Sequence, residues 1–178
     1  LELCRGRVLV NLDKADRYFD ELIPILDNTG TTRQVILKGT LSPKKIANFL
    51  DKHEDILYMS KFKFLESKGA AEIKAMYPID NRVRLVEVKF QDINHPAVSL
   101  ESLEKLKQMN IRVWVNTLAR SHSAGFTDKK ALTSPGEIWG ALIDRGFSAI
   151  QTDEPEALIE YLKKRRLHSE IPVGVLKK

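Results

Sequence analysis

A chain of 178 residues that is 43% hydrophobic is long enough to bury one sizeable core, so a single domain over 1–178 is the default. A complete β/α barrel typically takes ~250 residues, and a membrane-spanning helix needs an apolar run of ~20, which occurs nowhere in the chain. The net charge of +5 would suit an anionic partner. Lys44-Lys45, Lys61, Lys63 and Lys129-Lys130 are scattered, however, without the aromatic interleaving that stacks bases, which argues against nucleic acid.

Strand-like and helix-like runs alternate, the pattern of parallel strands joined by crossover helices. Val8 to Leu12 reads as the first strand, and Lys14 to Leu26 as a helix with Tyr18, Phe19, Leu22, Ile25 and Leu26 at helical spacing. Gly30 ends that unit. Gln34 to Lys38 is the next strand, followed by a helix to Leu50 with Ser42 as its cap and Pro43 in its first turn. Ile56 to Met59 is a strand, Glu66 to Met76 a helix, Val83 to Phe90 a strand, and Ser99 or Leu100 to Met109 a helix. Ile111 to Thr117 and Ala149 to Thr152 are the last strands, with a helix from Pro135 to Asp144 between them and another from Glu156 to Lys164 after them. The longest connection, Ala119 to Ser134, far exceeds the usual ~4–6 residues and is either a lid over a site or a tolerated surface insertion.

The last two strands both end in polar groups, Trp114-Val115-Asn116-Thr117 in one and Ile150-Gln151-Thr152-Asp153-Glu154-Pro155 in the other. They resemble the closing strands of the glycerophosphodiester phosphodiesterase family, a Val-Trp-Thr-Val-Asn-like strand and an Ile-Ile-Thr-Asp-Pro-like one. The resemblance extends from Arg5 to His168 and corresponds to the carboxyl-terminal part of that family's barrel. It implies an α/β fold, a partial (β/α)8 TIM barrel made of the later strands and helices, of the phospholipase-C-like phosphodiesterase type. It also implies hydrolysis of glycerophosphodiesters to glycerol phosphate and an alcohol, assisted by a divalent metal, Mg²⁺ or Ca²⁺.

Gly6 to Lys14 is similar to the family's fourth strand, an Asn-Ile-Glu-Ile-Lys pattern whose glutamate binds the metal and whose lysine meets the phosphate. Matching the asparagines puts Asp13 in the glutamate's place, as metal ligand, and Ala15 in the lysine's. The family's His-Arg-Gly, Glu-x-Asp and His-Asp strands have no counterpart. None of His53, His95, His122 and His168 stands at a strand end beside Arg-Gly or Asp. No catalytic residue is therefore recognisable, and the expectation is that this chain is a piece of a longer enzyme and inactive alone. A reading of another class is a non-catalytic half-barrel that binds a phosphorylated ligand or serves in assembly. Open strand edges predict self-association in either case. A soluble protein is expected, cytoplasmic, periplasmic or secreted; the single Cys4 excludes an internal disulfide and leaves the compartment open.

Period-two alternation places Asn11 and Asp13 on one face of their strand, with Asp13 either presented to a ligand or capping a helix at Lys14. Lys38, at a strand end before Gly39, is either the phosphate-facing cation that Ala15 cannot be or a solvated lysine. Glu87 shares a strand face with Leu85 and Lys89 and is either interior, near a cation, or at an edge facing water. Trp114 and Asn116 project together, the tryptophan as a pocket wall by resemblance or as a core aromatic. Trp139, on a helix face with Leu142 and Ile143, reads as packing, and Asp153 as a helix cap or a hydrogen-bond acceptor at the strand end.

Overall fold

A computed structural model describes residues 1–64 and 82–168. The expected helix from Glu66 to Met76 lies outside the described residues. The fold is α/β, and the six strands among the described residues are parallel and follow one another in sequence order across the sheet. They are β1 Val10–Asp13, β2 Val35–Gly39, β3 Leu57–Phe64, β4 Leu85–Phe90, β5 Arg112–Asn116 and β6 Ala149–Gln151. The described helices are α1 Phe19–Thr29, α2 Pro43–Leu50, α3 Leu100–Gln108, α4 Asp128–Ala131, α5 Ala141–Arg145 and α6 Pro155–Lys164. Two compact units divide these residues, one of 1–61 with 82–85, the other of 62–64 with 86–168.

In the first unit, β1 begins at Val10 and runs through Asp13, two residues later than expected at its start, while Val8 and Leu9 remain exposed. Lys14 then takes a left-handed φ of 59° and a single tight turn covers Ala15–Arg17. The helix consequently starts at Phe19 rather than Lys14. Within the helix Leu26 is fully buried and Leu22 and Phe19 pack on the core, whereas Ile25 and Tyr18, which now precedes the helix, face water. Gly30 ends α1 as expected, at φ 63°, its N–H and that of Thr31 closing on Asp27 and Leu26 carbonyls. The core joins Val35 and Leu37 of β2 to Leu26, Ile46, Leu50, Ile56, Tyr58 and Val83. The Tyr58 hydroxyl accepts the Leu41 N–H at 3.2 Å, and burial pushes its pKa up to about 12.

In the second unit, Val86, Val88 and Phe90 of β4 and Val113 and Val115 of β5 pack on Leu103 and Leu106 of α3 and on Leu142 and Phe147. Ser99 caps α3 by accepting the Ser102 N–H at 3.2 Å. The expected helix from Pro135 opens with a wide π-type turn over Gly136–Gly140 before continuing as α5. Trp139 is packing, as expected, in a small cluster with Ala131, Ile138 and Leu158. Among the described residues no helix is long and apolar enough to cross a membrane.

Because successive strand residues point to opposite faces, this helix-side core dictates the other face. Asn11, Asp13 and Lys38 lie opposite it in the first unit, and Glu87, Lys89, Trp114, Asn116 and Gln151 in the second.

Candidate functional site

The polar face of the first unit centres on Asp13. Strands β1 and β2 pair with Asp13 opposite Lys38, so both side chains leave the sheet on the same side at the strands' carboxyl ends. Lys38 Nζ stands 3.2 Å from Asp13 Oδ1, and Lys61 of β3 reaches the same oxygen at 3.9 Å. The Lys38 side chain is only 4% exposed, which removes the solvated reading and makes a counter-ion necessary, since an uncompensated buried ammonium is costly. Asp13 supplies that charge. Burial would raise its pKa, but the Lys38 hydrogen bond and charge, the Lys61 charge and the Lys14 N–H together hold it below the usual carboxylate value.

Asp13 does not cap a helix: it is the last residue of β1, and the turn after it is entered from Lys14. Gly39 is needed here for space rather than for φ. A Cβ on it would lie 2.6 Å from Asp16 Cγ, and Asp16 occupies that position because its Oδ2 accepts the Thr40 N–H at 2.8 Å. A small residue after Lys38 thus lets the turn following β1 lean against the end of β2.

A divalent cation at this point would need several oxygen ligands. Asp13 Oδ1 is instead flanked by two ammonium groups, and among the described residues no cluster of three or more His, Cys, Asp or Glu side chains could hold a metal ion. The described residues by themselves do not fit a dication. Asn11 Oδ1, on the same face, is enclosed with no hydrogen-bond partner among the described residues.

The polar face of the second unit carries a chain of hydrogen bonds that no local pattern in the sequence foreshadows. Asn116, at the end of β5, is buried; its Nδ2 donates to Gln151 Oε1 across the β5–β6 pair at 3.0 Å. Its Oδ1 accepts the Leu118 N–H at 3.0 Å and meets His122 Nδ1 at 2.8 Å. The other imidazole nitrogen, Nε2, lies 3.1 Å from Lys89 Nζ on β4. Trp114 stands two residues before Asn116 on the same face, with its indole N–H buried and unbonded among the described residues. Glu87 is fully buried, the interior alternative for that residue.

His122 is the residue that sequence reasoning passed over, because it follows its strand by six positions instead of ending it. The connection from Ala119 to Ser134 brings it back. That segment is neither structureless nor loosely attached: a tight turn at Arg120–His122 leads to buried Ser123, which bridges to Phe90, and the Ala124 N–H donates to the Phe90 carbonyl at 2.9 Å. Asp128 then ties it down. It accepts from the Thr117 hydroxyl, from Trp139 Nε1 at 3.3 Å and from the Asp153 N–H at 2.9 Å.

Asp153 therefore takes part through its backbone, and the cap position of α6 is Glu154, with no side-chain cap bond. The remaining histidines have separate places. His95 is buried and accepts the Ala97 N–H at 3.1 Å, while His53 lines a cleft of about 420 Å³ with Phe19 and Phe49, on the helices of the first unit.

Fold and site together define a parallel β/α protein with lysines, amides and an imidazole at the carboxyl ends of its strands. The chain belongs to the DUF4996 family, described as a domain of unknown function, whose profile matches residues 58–162. No curated protein matches the chain.

Proposed function

We propose that the chain is the carboxyl-terminal part of a glycerophosphodiester phosphodiesterase barrel and supplies phosphate-facing cations to a site whose acid–base groups and metal carboxylates come from elsewhere in the whole protein. The observation that carries this reading is the Asp13–Lys38 pair at the carboxyl ends of β1 and β2, with Lys61 of β3 approaching the same carboxylate oxygen. Enzymes built on parallel β/α barrels carry their chemistry at those ends. Sequential strand order supports a partial barrel, because a doubly wound sheet reverses its order at a switch point; the phospholipase-C-like type is proposed on the resemblance alone.

Lys38, held in place by Asp13, gives a fixed positive charge that costs no reorganisation as phosphoryl charge develops. Trp114 and Asn116 stand on the helix-averse face, where a glycerol backbone could pack and hydrogen-bond.

The test has two arms. The purified chain with glycerophosphocholine and Mg²⁺ or Ca²⁺ is expected to show no turnover; robust metal-dependent hydrolysis would refute the assignment of the acid–base groups to other segments. In a longer protein that includes those segments, Lys38→Met is expected to lower kcat/KM by about 10²-fold, the scale of losing a preorganised electrostatic contact. An effect below threefold would remove Lys38 from the site.

A second reading is favoured by one feature, the neutralisation of Asp13 by two lysines. It makes the chain a non-catalytic binder of a phosphorylated ligand, and it predicts phosphate binding without hydrolysis even in the longer protein.

A further inference from the structure

The cleft on the helices of the first unit is lined by α1, by α2 and by the turn after α2, and by no strand residue. Its floor is aromatic. Phe19 and Phe49 stack with ring centroids 4.1 Å apart, and the half-buried His53 ring tilts against Phe49 at 4.9 Å. Phe19 in turn meets the edge of buried Tyr58 at 6.4 Å, and the Tyr58 hydroxyl is engaged by the Leu41 N–H. The rings are therefore anchored in the core and stand ready before any ligand arrives, which lowers the ordering cost of binding.

The two sides of the cleft differ in chemistry. On the α1 side lie Asp20 and Pro24. Proline has no N–H, so the Asp20 carbonyl, four residues earlier in the helix, lacks its usual helical donor, and the Asp20 carboxylate is exposed beside it. That side accepts hydrogen bonds and attracts a cation. On the α2 side lie Asn48 and Lys52, whose ammonium can only donate. Among the described residues the side chains of Asp20, Asn48 and Lys52 enter no ion pair and no hydrogen bond, so the carboxylate and the ammonium are not neutralised by one another. A volume of about 420 Å³ suits a small molecule, and an apolar floor with a few converging polar groups is the usual make-up of such sites.

We propose that this cleft binds a small aromatic zwitterion of the amino-acid type, a second site separate from the strand ends. The flat body of the ligand packs on Phe19 and Phe49, its ammonium meets Asp20, and its carboxylate meets Lys52. Ring, cation and anion are each matched by a different part of the cleft, and a ligand that lacks one of them loses that contact.

The probe is L-tryptophan, titrated into the whole chain by calorimetry and, with ¹⁵N-labelled histidine, by the His53 ring resonances. Saturable binding with a Kd of about 0.5 mM is expected, the scale for a ligand of this size, with shifts at His53. L-alanine, which lacks the ring, should not bind measurably. Tryptamine keeps only the ammonium and indole-3-propionate only the carboxylate. Asp20→Asn should weaken L-tryptophan and tryptamine by about three- to fivefold and leave indole-3-propionate unchanged, and Lys52→Met should do the reverse, the scale of a partly exposed charge contact. Both substituted residues are exposed, and an unchanged Tm shows that each variant is folded. No saturable binding up to about 10 mM, a concentration well above the expected Kd, binding without a response at His53, or losses that ignore which charge the ligand carries would overturn the proposal. Hydrolysis of glycerophosphocholine by a longer protein tests the strand-end reading separately, and neither outcome there alters this one.

Discussion

Asp128 is the residue on which the whole connection after β5 depends, and replacing it by alanine exposes how much. Its carboxylate gathers the Thr117 hydroxyl, the Trp139 indole N–H and the Asp153 N–H into one buried cluster. In Asp128→Ala, Thr117 keeps an acceptor, the Gln151 carbonyl at 2.9 Å, whereas the Trp139 and Asp153 donors lose theirs. At about 1–3 kcal/mol for each stranded donor, with the two not fully additive, the loss is about 3 kcal/mol. For a domain of this size that lowers Tm by about 6–12 °C. Asp128→Asn keeps one carbonyl acceptor and should cost about half as much. Urea titration followed by tryptophan emission is the assay, since Trp139 is one of only two tryptophans and lies in the cluster that would loosen. A loss below about 0.5 kcal/mol for Asp128→Ala, smaller than one ordinary net hydrogen bond, would refute the claim that this carboxylate pins the segment.

The lowered Asp13 pKa makes its contribution to stability fully present above the unfolded value of 3.8 and lost as pH falls through the folded value; carboxyl NMR titration should show this, and Lys38→Met should move the pKa upward. Tyr58, raised to about 12, stabilises the fold in full below pH ~10, the unfolded tyrosine value, and that contribution disappears as pH rises through about 12. In alkaline absorbance titration one of the four tyrosines should ionise last, and Tyr58→Phe should remove that late step. Gly39→Ala drives a Cβ into Asp16 and should cost about 1–3 kcal/mol by denaturant titration; an unchanged midpoint would mean that Asp16 yields freely. Among the described residues, strands β1 and β6 end the strand order with one strand neighbour each, so the chain should self-associate at micromolar concentration; a monodisperse monomer by light scattering would contradict this.

The alternation of apolar strands with amphipathic helices was legible because burial on one face imposes period two in strands and period 3.6 in helices, and both are written in one dimension. That is why period two alone assigns Leu85, Glu87 and Lys89 to one face of β4 and pairs Asn116 with Trp114. Element ends were less legible. The start of α1 moved from Lys14 to Phe19 because Lys14 takes a left-handed conformation and a tight turn follows, which periodicity does not encode.

Charge partners were not legible at all. Asp13 read as a helix cap or a metal ligand, and only strand register set it across from Lys38, because register is a relation between segments 25 positions apart. His122 and Asp128 lay in a stretch without periodicity, so their roles came from a loop that folds back onto the ends of β4, β5 and β6. The alternating α/β pattern and the polar face of each strand are set along the chain alone, since local hydrophobic burial decides both. Tertiary structure decided which polar groups meet, since a hydrogen bond or ion pair depends on distances of about 3 Å that no local pattern records.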